Sequence, residues 1–364
     1  MNKQKHTAKQ VVLLGAGAMI PFGGPSTLGL TERIRANSTC DTIFRIIQKD
    51  YKDSCSFETL FSAVELLLEW SFSNESNGYI SSLDTSIYKS VFQKADAFKY
   101  KSRDELWETY QIVANEIMEA IKDYDFFPIT TGSHKGIDLD YLGDFIIDCS
   151  KKSSCKIYTL NYDRLIPRIV GKRVYVYEGI DNQKYSYDIK KFVNHPLTHF
   201  NLHGSIYLHY DSSNSLVLND SPIGIGNSHL ISGGNPNEHK IFLPIITGYH
   251  KTQRILSEPF NWGAGVFMYD CNTCDELLII GYSFGDPHIN SFLECFIHTS
   301  STNIVIVDYS QDLSLPRRTI NRINRVFSQN TEFEQKDDGV YSNEDNKIIV
   351  YMKGFENYIK DYNC

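Results

Sequence analysis

Four short apolar runs, each closing on glycine or a polar residue, constrain this chain more than any other feature. They are Val11-Val12-Leu13-Leu14 before Gly15-Ala16-Gly17-Ala18, Tyr158-Thr159-Leu160 before Asn161-Tyr162-Asp163, Asn201-Leu202 before His203-Gly204-Ser205, and Leu278-Ile279-Ile280 before Gly281-Tyr282-Ser283. Val11 to Leu14 is continuous, branched and bounded by glycine, the pattern of a strand buried on both faces of a parallel sheet. In an open α/β sheet, ligands bind outside the carboxyl ends of the parallel strands. Four such tips can meet at one crevice, and Asn161 and His203 are the two with reactive side chains. The fold class expected is α/β: a Rossmann-like, mainly parallel sheet with a helical insertion.

Size and charge narrow the function. A chain of 364 residues, 41% hydrophobic and 22% charged, can bury a sizeable core and has an ordinary globular composition. A formal charge of −8 argues against gripping nucleic acid directly, a task that needs clustered Lys and Arg. The one local candidate, Arg317-Arg318 with Arg322 and Arg325, reads as a solvated helix face. The polar, basic start from Met1 to Lys9 superficially mimics a secretory leader, but the apolar run behind it soon breaks into Gly15, Gly17, Pro21, Gly23 and Gly24. No stretch approaches the ~20 apolar residues of a membrane span. Eight scattered cysteines suit a cytoplasmic protein with free thiols. Cys271-x-x-Cys274 has no second pair nearby to complete a four-ligand zinc site, so no metal is expected.

Along the chain, Pro25-Ser26-Thr27 signals a helix start carrying Leu28, Leu30 and Ile34, and backbone amides of the preceding glycine loop are expected to be free for a pyrophosphate. A third glycine and a following acidic residue are missing, which disfavours an ordinary Rossmann dehydrogenase. Residues 40 to 150 turn helical, with one stripe at Phe57, Leu60, Phe61, Val64, Leu67 and Leu68. A second helix opens on the capping box Ser102-x-x-Glu105 and carries Leu106, Tyr110, Val113, Ile117 and Ile121. Both stripes read first as plain packing. Further strands are expected at Lys156–Leu160, Arg173–Tyr177, Thr198–Leu202, Ile241–Ile246, Glu276–Ile280 and Asn303–Val307, and a helix at Lys251–Tyr269 interrupted near Gly263. Asp286-Pro287 reads as the N-cap and first position of a helix carrying Ile289, Phe292 and Phe296.

The chemistry is read at the tips. Gly15, Ala16 and Gly17 matter by their lack of bulk, although a generic tight turn is the plainer reading. Asn161 can hold a ribose and a water by hydrogen bonds, or simply serve a turn. An imidazole such as His203 accepts a proton at neutral pH. His195, His199 and His203 share a spacing of four, but Pro196 and the alternation around Phe200 and Leu202 imply extended chain, in which they do not converge on a metal. Asp308, ending Ile304–Val307, can take the hydroxyls of an adenosine ribose or cap a helix. His288 reads as first-turn packing or capping.

The four tips together resemble the sirtuin family. Gly15-Ala16-Gly17-Ala18 matches its glycine loop, Asn161 falls at its pocket asparagine, and Leu202-His203-Gly204 matches its leucine-histidine-glycine with the catalytic histidine. Gly281-Tyr282-Ser283 is similar to the loop touching the cofactor's phosphates and ribose. Thr159-Leu160-Asn161-Tyr162-Asp163 and Gly281-Tyr282-Ser283-Phe284-Gly285-Asp286-Pro287-His288-Ile289-Asn290 resemble, more narrowly, bacterial sirtuin-like proteins of antiphage defence that cleave NAD. The resemblance implies Asn161 and His203 as catalytic residues, and Gly15, Ala16, Gly17, Thr27, Gly281, Ser283 and Asp308 as cofactor contacts. It runs from about residue 10 to 310. The chain departs from the family at Met19, where a serine is usual, and at Gly23-Gly24-Pro25-Ser26-Thr27, which replaces an arginine-bearing loop.

The resemblance also implies a single sirtuin-like domain over 1–364, with a helical insertion at about 40–150 and a C-terminal extension at about 311–364. The activity implied is an NAD+ glycohydrolase, with NAD+ as substrate, acting in the cytoplasm by NAD depletion. No fused sensor is expected, so a partner in trans (a HerA-type ATPase or a short Argonaute) and a homo-oligomer are. The alternatives are an NAD-dependent protein deacylase and a non-enzymatic module binding NAD or ADP-ribose.

Overall fold

The computed structural model describes residues 9–51, 55–65, 103–125, 133–134, 137–211, 216–222, 230–232, 239–241, 245–248, 251–297, 302–327 and 331–362. The chain divides into two compact units, one of residues 1–24, 127–204 and 255–364, the other of 25–126 and 205–254.

The first unit is built on an eight-stranded sheet. Its strands are β1 (Lys9–Leu14), β2 (Ser154–Thr159), β3 (Leu197–Asn201), β4 (Glu276–Ile280), β5 (Asn303–Val307), β6 (Glu334–Asp337), β7 (Val340–Ser342) and β8 (Ile348–Tyr351). Their order is β6-β7-β8-β5-β4-β1-β2-β3. All pairings from β8 to β3 are parallel; β6 and β7 close one edge as an antiparallel hairpin. From β1 the chain steps outward to β2 and β3, then returns to the other side of β1 for β4, β5 and β8. Strand order therefore reverses between β1 and β4, the topological switch point of a Rossmann-like sheet. The expected fold class is the one observed. Val11 to Leu13 and Leu277 to Ile280 have no exposed surface, as strands covered on both faces require.

Helices cover both faces. On one, α4 (Asp140–Lys152) packs Phe145 among Phe355, Tyr358 and Tyr362 of α10 (Phe355–Tyr362), all edge-to-face. On the other, α7 (Phe260–Thr273) lays Phe267 on Tyr158 of β2, with ring centres 4.8 Å apart. The expected break near Gly263 falls earlier, at residues 255–259, between a short turn of helix at Lys251–Arg254 and α7. Gly263 lies inside α7 because a Cβ there would sit 2.0 Å from the Phe200 ring. That ring is locked among Tyr185, Phe192 and Trp262 and cannot yield. Gly263→Ala is thus expected to destabilise the protein by about 1–3 kcal/mol, and less when combined with Phe200→Leu; additive effects in a urea-unfolding double-mutant cycle would contradict this contact.

Buried among these elements, Lys156 donates to the carbonyls of Phe192 (3.0 Å) and His195. Burial pushes its ammonium from 10.5 down to about 8, with Asp270 opposing. Because the folded value lies below the unfolded one, the cost of burying the charge is fully felt below pH 8 and fades as pH rises toward 10.5. The unfolding free energy of the wild type, measured relative to Lys156→Met, is expected to rise across that window by on the order of 3 kcal/mol. A difference flat in pH would show that burial does not depress this amine.

Two sequence expectations are corrected. Arg173–Tyr177 forms no strand: the Val170 carbonyl accepts from the amides of Arg173 and Val174, which continues the turn after α5 (Leu165–Val170), and only Tyr177 makes an isolated bridge, to Thr198. The charged segment around Glu332 to Lys347, which reads from the sequence as a loop, holds the β6–β7 hairpin.

In the second unit, α1 (Thr27–Arg35) is capped by the Ser26 hydroxyl, which accepts from Gly29 N at 3.0 Å. With α2 (Ser38–Tyr51) and α3 (Arg103–Asp125) it forms a helical cluster, pinned where Arg33 meets Glu116 and Asp123. Phe57, Leu60, Phe61 and Val64 are buried, as are Tyr110, Val113, Ile117 and Ile121, so both helical stripes pack as expected. Leu67, Leu68 and the capping-box Ser102 lie outside the described residues. Among the described residues, no helix is long and apolar enough to cross a membrane.

Candidate active site

The carboxyl ends of β1, β2, β3 and β4 carry the four tips, and backbone hydrogen bonds tie them together in order. Gly15 N donates to Ile280 O (2.9 Å) and Gly17 N to Gly281 O (3.0 Å), stitching the β1 loop to the β4 loop across the switch point. A Cβ on Gly15 would lie 2.5 Å from Gly281 O, and one on Gly17 2.9 Å from Gly281 Cα. These glycines therefore permit one loop to touch the other. Ala18 N also turns back, to Gly15 O. The amides of Gly15, Gly17 and Ala18 are consequently spent inside the protein rather than free for a pyrophosphate. Ala16 stands exposed between them.

Asn161 follows β2 by two residues. Its amide nitrogen Nδ2 donates to Gly15 O at 3.1 Å, so the side chain bridges directly to the glycine loop. Asn201, at the end of β3, donates to the carbonyls of Asn161 (2.9 Å) and Asp163 (2.8 Å) and fixes that backbone. With Nδ2 occupied, Oδ1 of Asn161 is left as an acceptor with no protein donor among the described residues. The next helix, α5, starts only at Leu165, so Asn161 is not its cap.

His203 occupies the neighbouring tip, two residues past β3, and is 2% exposed. Leu202 N donates to Thr159 O (2.9 Å), which holds the β2 and β3 tips side by side. The His203 Nε2 lies 3.0 Å from the Nε2 of His288, so one ring donates and the other accepts. His288 is thus more than a packing residue, a contact that sequence reasoning missed. Its signal was available in Asp286-Pro287-His288, which starts α8 (Pro287–Ile297) with Pro287 as first residue, as expected. The loop before it is clamped by the Tyr282 hydroxyl, which donates to Asn290 Oδ1 (2.9 Å) and accepts from Asp286 N (3.2 Å). Asp286, His203 and His288 form a cluster whose ligand atoms lie within 4.8 Å of one another.

The other histidines do not join. His195 turns its Nδ1 to Leu197 O, and burial, with Arg164 adding, pushes His199 down to about 3, which keeps it neutral. Neither belongs to the cluster of His203, Asp286 and His288, so the three evenly spaced histidines do not converge, as the sequence implied.

The remaining positions lie on the far side of the switch point or in the second unit. Gly281 adopts φ +59°, and its N donates to Val307 O at 2.8 Å. Ser283 is exposed, and its carbonyl accepts from Arg322 of α9 (Arg317–Val326) at 2.8 Å. Asp308 directly follows β5; α9 starts nine residues later, so Asp308 does not cap it. Burial raises the Asp308 carboxyl, while the Tyr309 amide and the charges of Arg322 and Arg318 oppose this. Thr27 opens α1 in the second unit. Cys271 and Cys274 are both buried free thiols.

A Rossmann-like sheet with an asparagine and a histidine at adjacent tips beside its switch point defines an α/β protein of doubly wound type. Residues 156–331 match the family model of SIR2-like domains. Among solved structures the chain is similar to a mutant Sir2 homologue in complex with ADP-ribose, at 12% identity over 89% of this chain and 92% of that one, with a TM-score of 0.38. It is also similar to a structure on the basis of sirtuin substrate affinity, at 12% identity over 98% and 93%, with a TM-score of 0.40. No curated protein matches it.

Proposed function

We propose that this chain is an NAD+ glycohydrolase that cleaves the nicotinamide–ribose bond to give nicotinamide and ADP-ribose. The observation that carries the reading is the pairing of Asn161 and His203 on tips held side by side next to the β1–β4 switch point. The bond to nicotinamide breaks with its electron pair leaving on the ring nitrogen, and positive charge develops on the ribose. Water then bonds to that carbon and releases one proton. Asn161, with Nδ2 anchored to Gly15, presents Oδ1 to orient the water or a ribose hydroxyl. His203 accepts the proton at neutral pH. The glycine loop, Gly281, Ser283 and Asp308 would hold the rest of the dinucleotide, with Asp308 on the adenosine ribose. Since the amides of Gly15 and Gly17 are engaged, Ala16 is the position in that loop open to a phosphate.

In a cell, such an activity depletes NAD+, which fits a role in antiphage defence, with the enzyme held silent until a partner in trans engages it. A homo-oligomer paired with a HerA-type ATPase or a short Argonaute is the proposed assembly. The test is nicotinamide release from NAD+ by the purified chain, alone and with each partner. Hydrolysis in at least one of these mixtures is expected. Deacylation of an acetylated peptide with formation of O-acetyl-ADP-ribose would replace the reading with a deacylase, and tight ADP-ribose binding without turnover in any mixture with a binding module.

A further inference from the structure

We propose that His203, Asp286 and His288 form a binding site for a divalent transition metal of the zinc type. Metal bound there would silence the imidazole that NAD+ cleavage uses. The first half stands on the cluster's own geometry; the second rests on the function proposed above.

Two imidazoles and a carboxylate are the donor set that zinc takes when it keeps a fourth position open for water. The atoms are already assembled, all within 4.8 Å of one another. A tetrahedral zinc with arms of about 2.0–2.1 Å holds its donors roughly 3.3 Å apart. The two Nε2 atoms lie at 3.0 Å, so a small outward shift admits the ion. As they stand, the rings share one proton; a cation between them would displace that proton to solvent and take both lone pairs.

The donors also ride on rigid elements. His203 is placed by β3, whose five residues are all buried. Asp286 and His288 flank Pro287 at the start of α8, and Tyr282 and Asn290 fasten the approach to that helix. Both histidines are buried, and Asp286 is half-buried. The cysteine pair offers a poorer site. Burial holds Cys271 and Cys274 as thiols, the latter pushed up to about 12, whereas metal ligation requires thiolates. The inference thus departs from the sequence expectation that no metal is needed, and it places the metal away from the Cys-x-x-Cys motif.

A ligated His203 has no lone pair left on Nε2 with which to take a proton. Zinc would therefore act as an inhibitor of this site, relieved by a chelator.

The test is a cobalt(II) titration of the purified full chain, followed by visible absorption. One equivalent of cobalt is expected to give d–d bands without thiolate charge-transfer absorption, and zinc is expected to bleach them. Asp286→Asn and His288→Gln, conservative changes whose folding is checked by circular dichroism, should each weaken cobalt binding roughly tenfold or more. No cobalt uptake, thiolate charge transfer, or unchanged affinity in both variants would overturn the site. In a parallel assay, zinc should inhibit nicotinamide release by the wild type, and Asp286→Asn should need roughly tenfold more zinc for the same effect. Cleavage insensitive to zinc in a chain that binds cobalt would overturn the inhibitory role. If the chain cleaves no NAD+ under any condition, the proposed function fails, while the cobalt titration still decides the metal site.

Discussion

His203→Ala is expected to lower kcat/KM for nicotinamide release by roughly 10²–10⁴-fold, the contribution typical of a positioned general base. The loss should fall mainly on kcat, because a base acts in the transition state rather than in binding the dinucleotide. Asn161→Ala should reduce the rate comparably, and the double variant should lose less than the product of the two, as the proposed action of both on one sugar carbon requires. Stability should change little by comparison. His203→Ala removes the Nε2 contact to His288, a hydrogen bond worth about 1 kcal/mol. Asn161→Ala removes the bond to Gly15 O, of similar worth. The measurement is steady-state kinetics beside thermal unfolding of the same preparations. If both single variants retain wild-type turnover, the active site lies elsewhere.

Gly281→Ala is expected to be the most destabilising single methyl in the molecule's site region. Two costs add. Residue 281 sits at φ +59°, where a side chain costs about 1–2 kcal/mol. The new Cβ would also lie 2.1 Å from Ala18 N and 2.3 Å from the Gly17 carbonyl carbon. Both are backbone atoms, so no rotamer change relieves the clash, and overpacking of this kind costs roughly 1–3 kcal/mol. A loss of roughly 2–5 kcal/mol in urea unfolding follows. Separation of the β1 and β4 loops would also break the Gly17 N to Gly281 O bond and disturb the Gly15 carbonyl that anchors Asn161, so activity should fall as well. A loss below about 1 kcal/mol would show that the two loops are not interlocked. By contrast, Gly285→Ala meets only the Ser283 hydroxyl at 3.3 Å and should be tolerated.

Much of this was legible in the chain. Buried strands at 11–14, 277–280 and 304–307 announce themselves as continuous apolar runs because both faces of a parallel sheet are covered. Ser26 and Asp286-Pro287 mark their helix starts through local chemistry alone, and both are found as read. Failures arose where a distant partner overrode a local signal. Gly263 was read as a helix break, yet it serves the approach of the Phe200 ring, sixty-three positions away in the chain. The run Arg173–Tyr177 has strand-forming residues, but its first amides are captured by the end of α5.

The site divides in the same way. That Asn161 and His203 stand at the ends of apolar strands was determined by the sequence, since a strand tip and its residue type are local properties. Their arrangement was decided only by tertiary structure. Strand order put β1 beside β4 and made glycine-loop amides serve loop-to-loop contact. It also carried His288 across eighty-five positions to His203. Pairing between parallel strands is set by packing over long separations, and no local pattern of residues encodes which tip will face which.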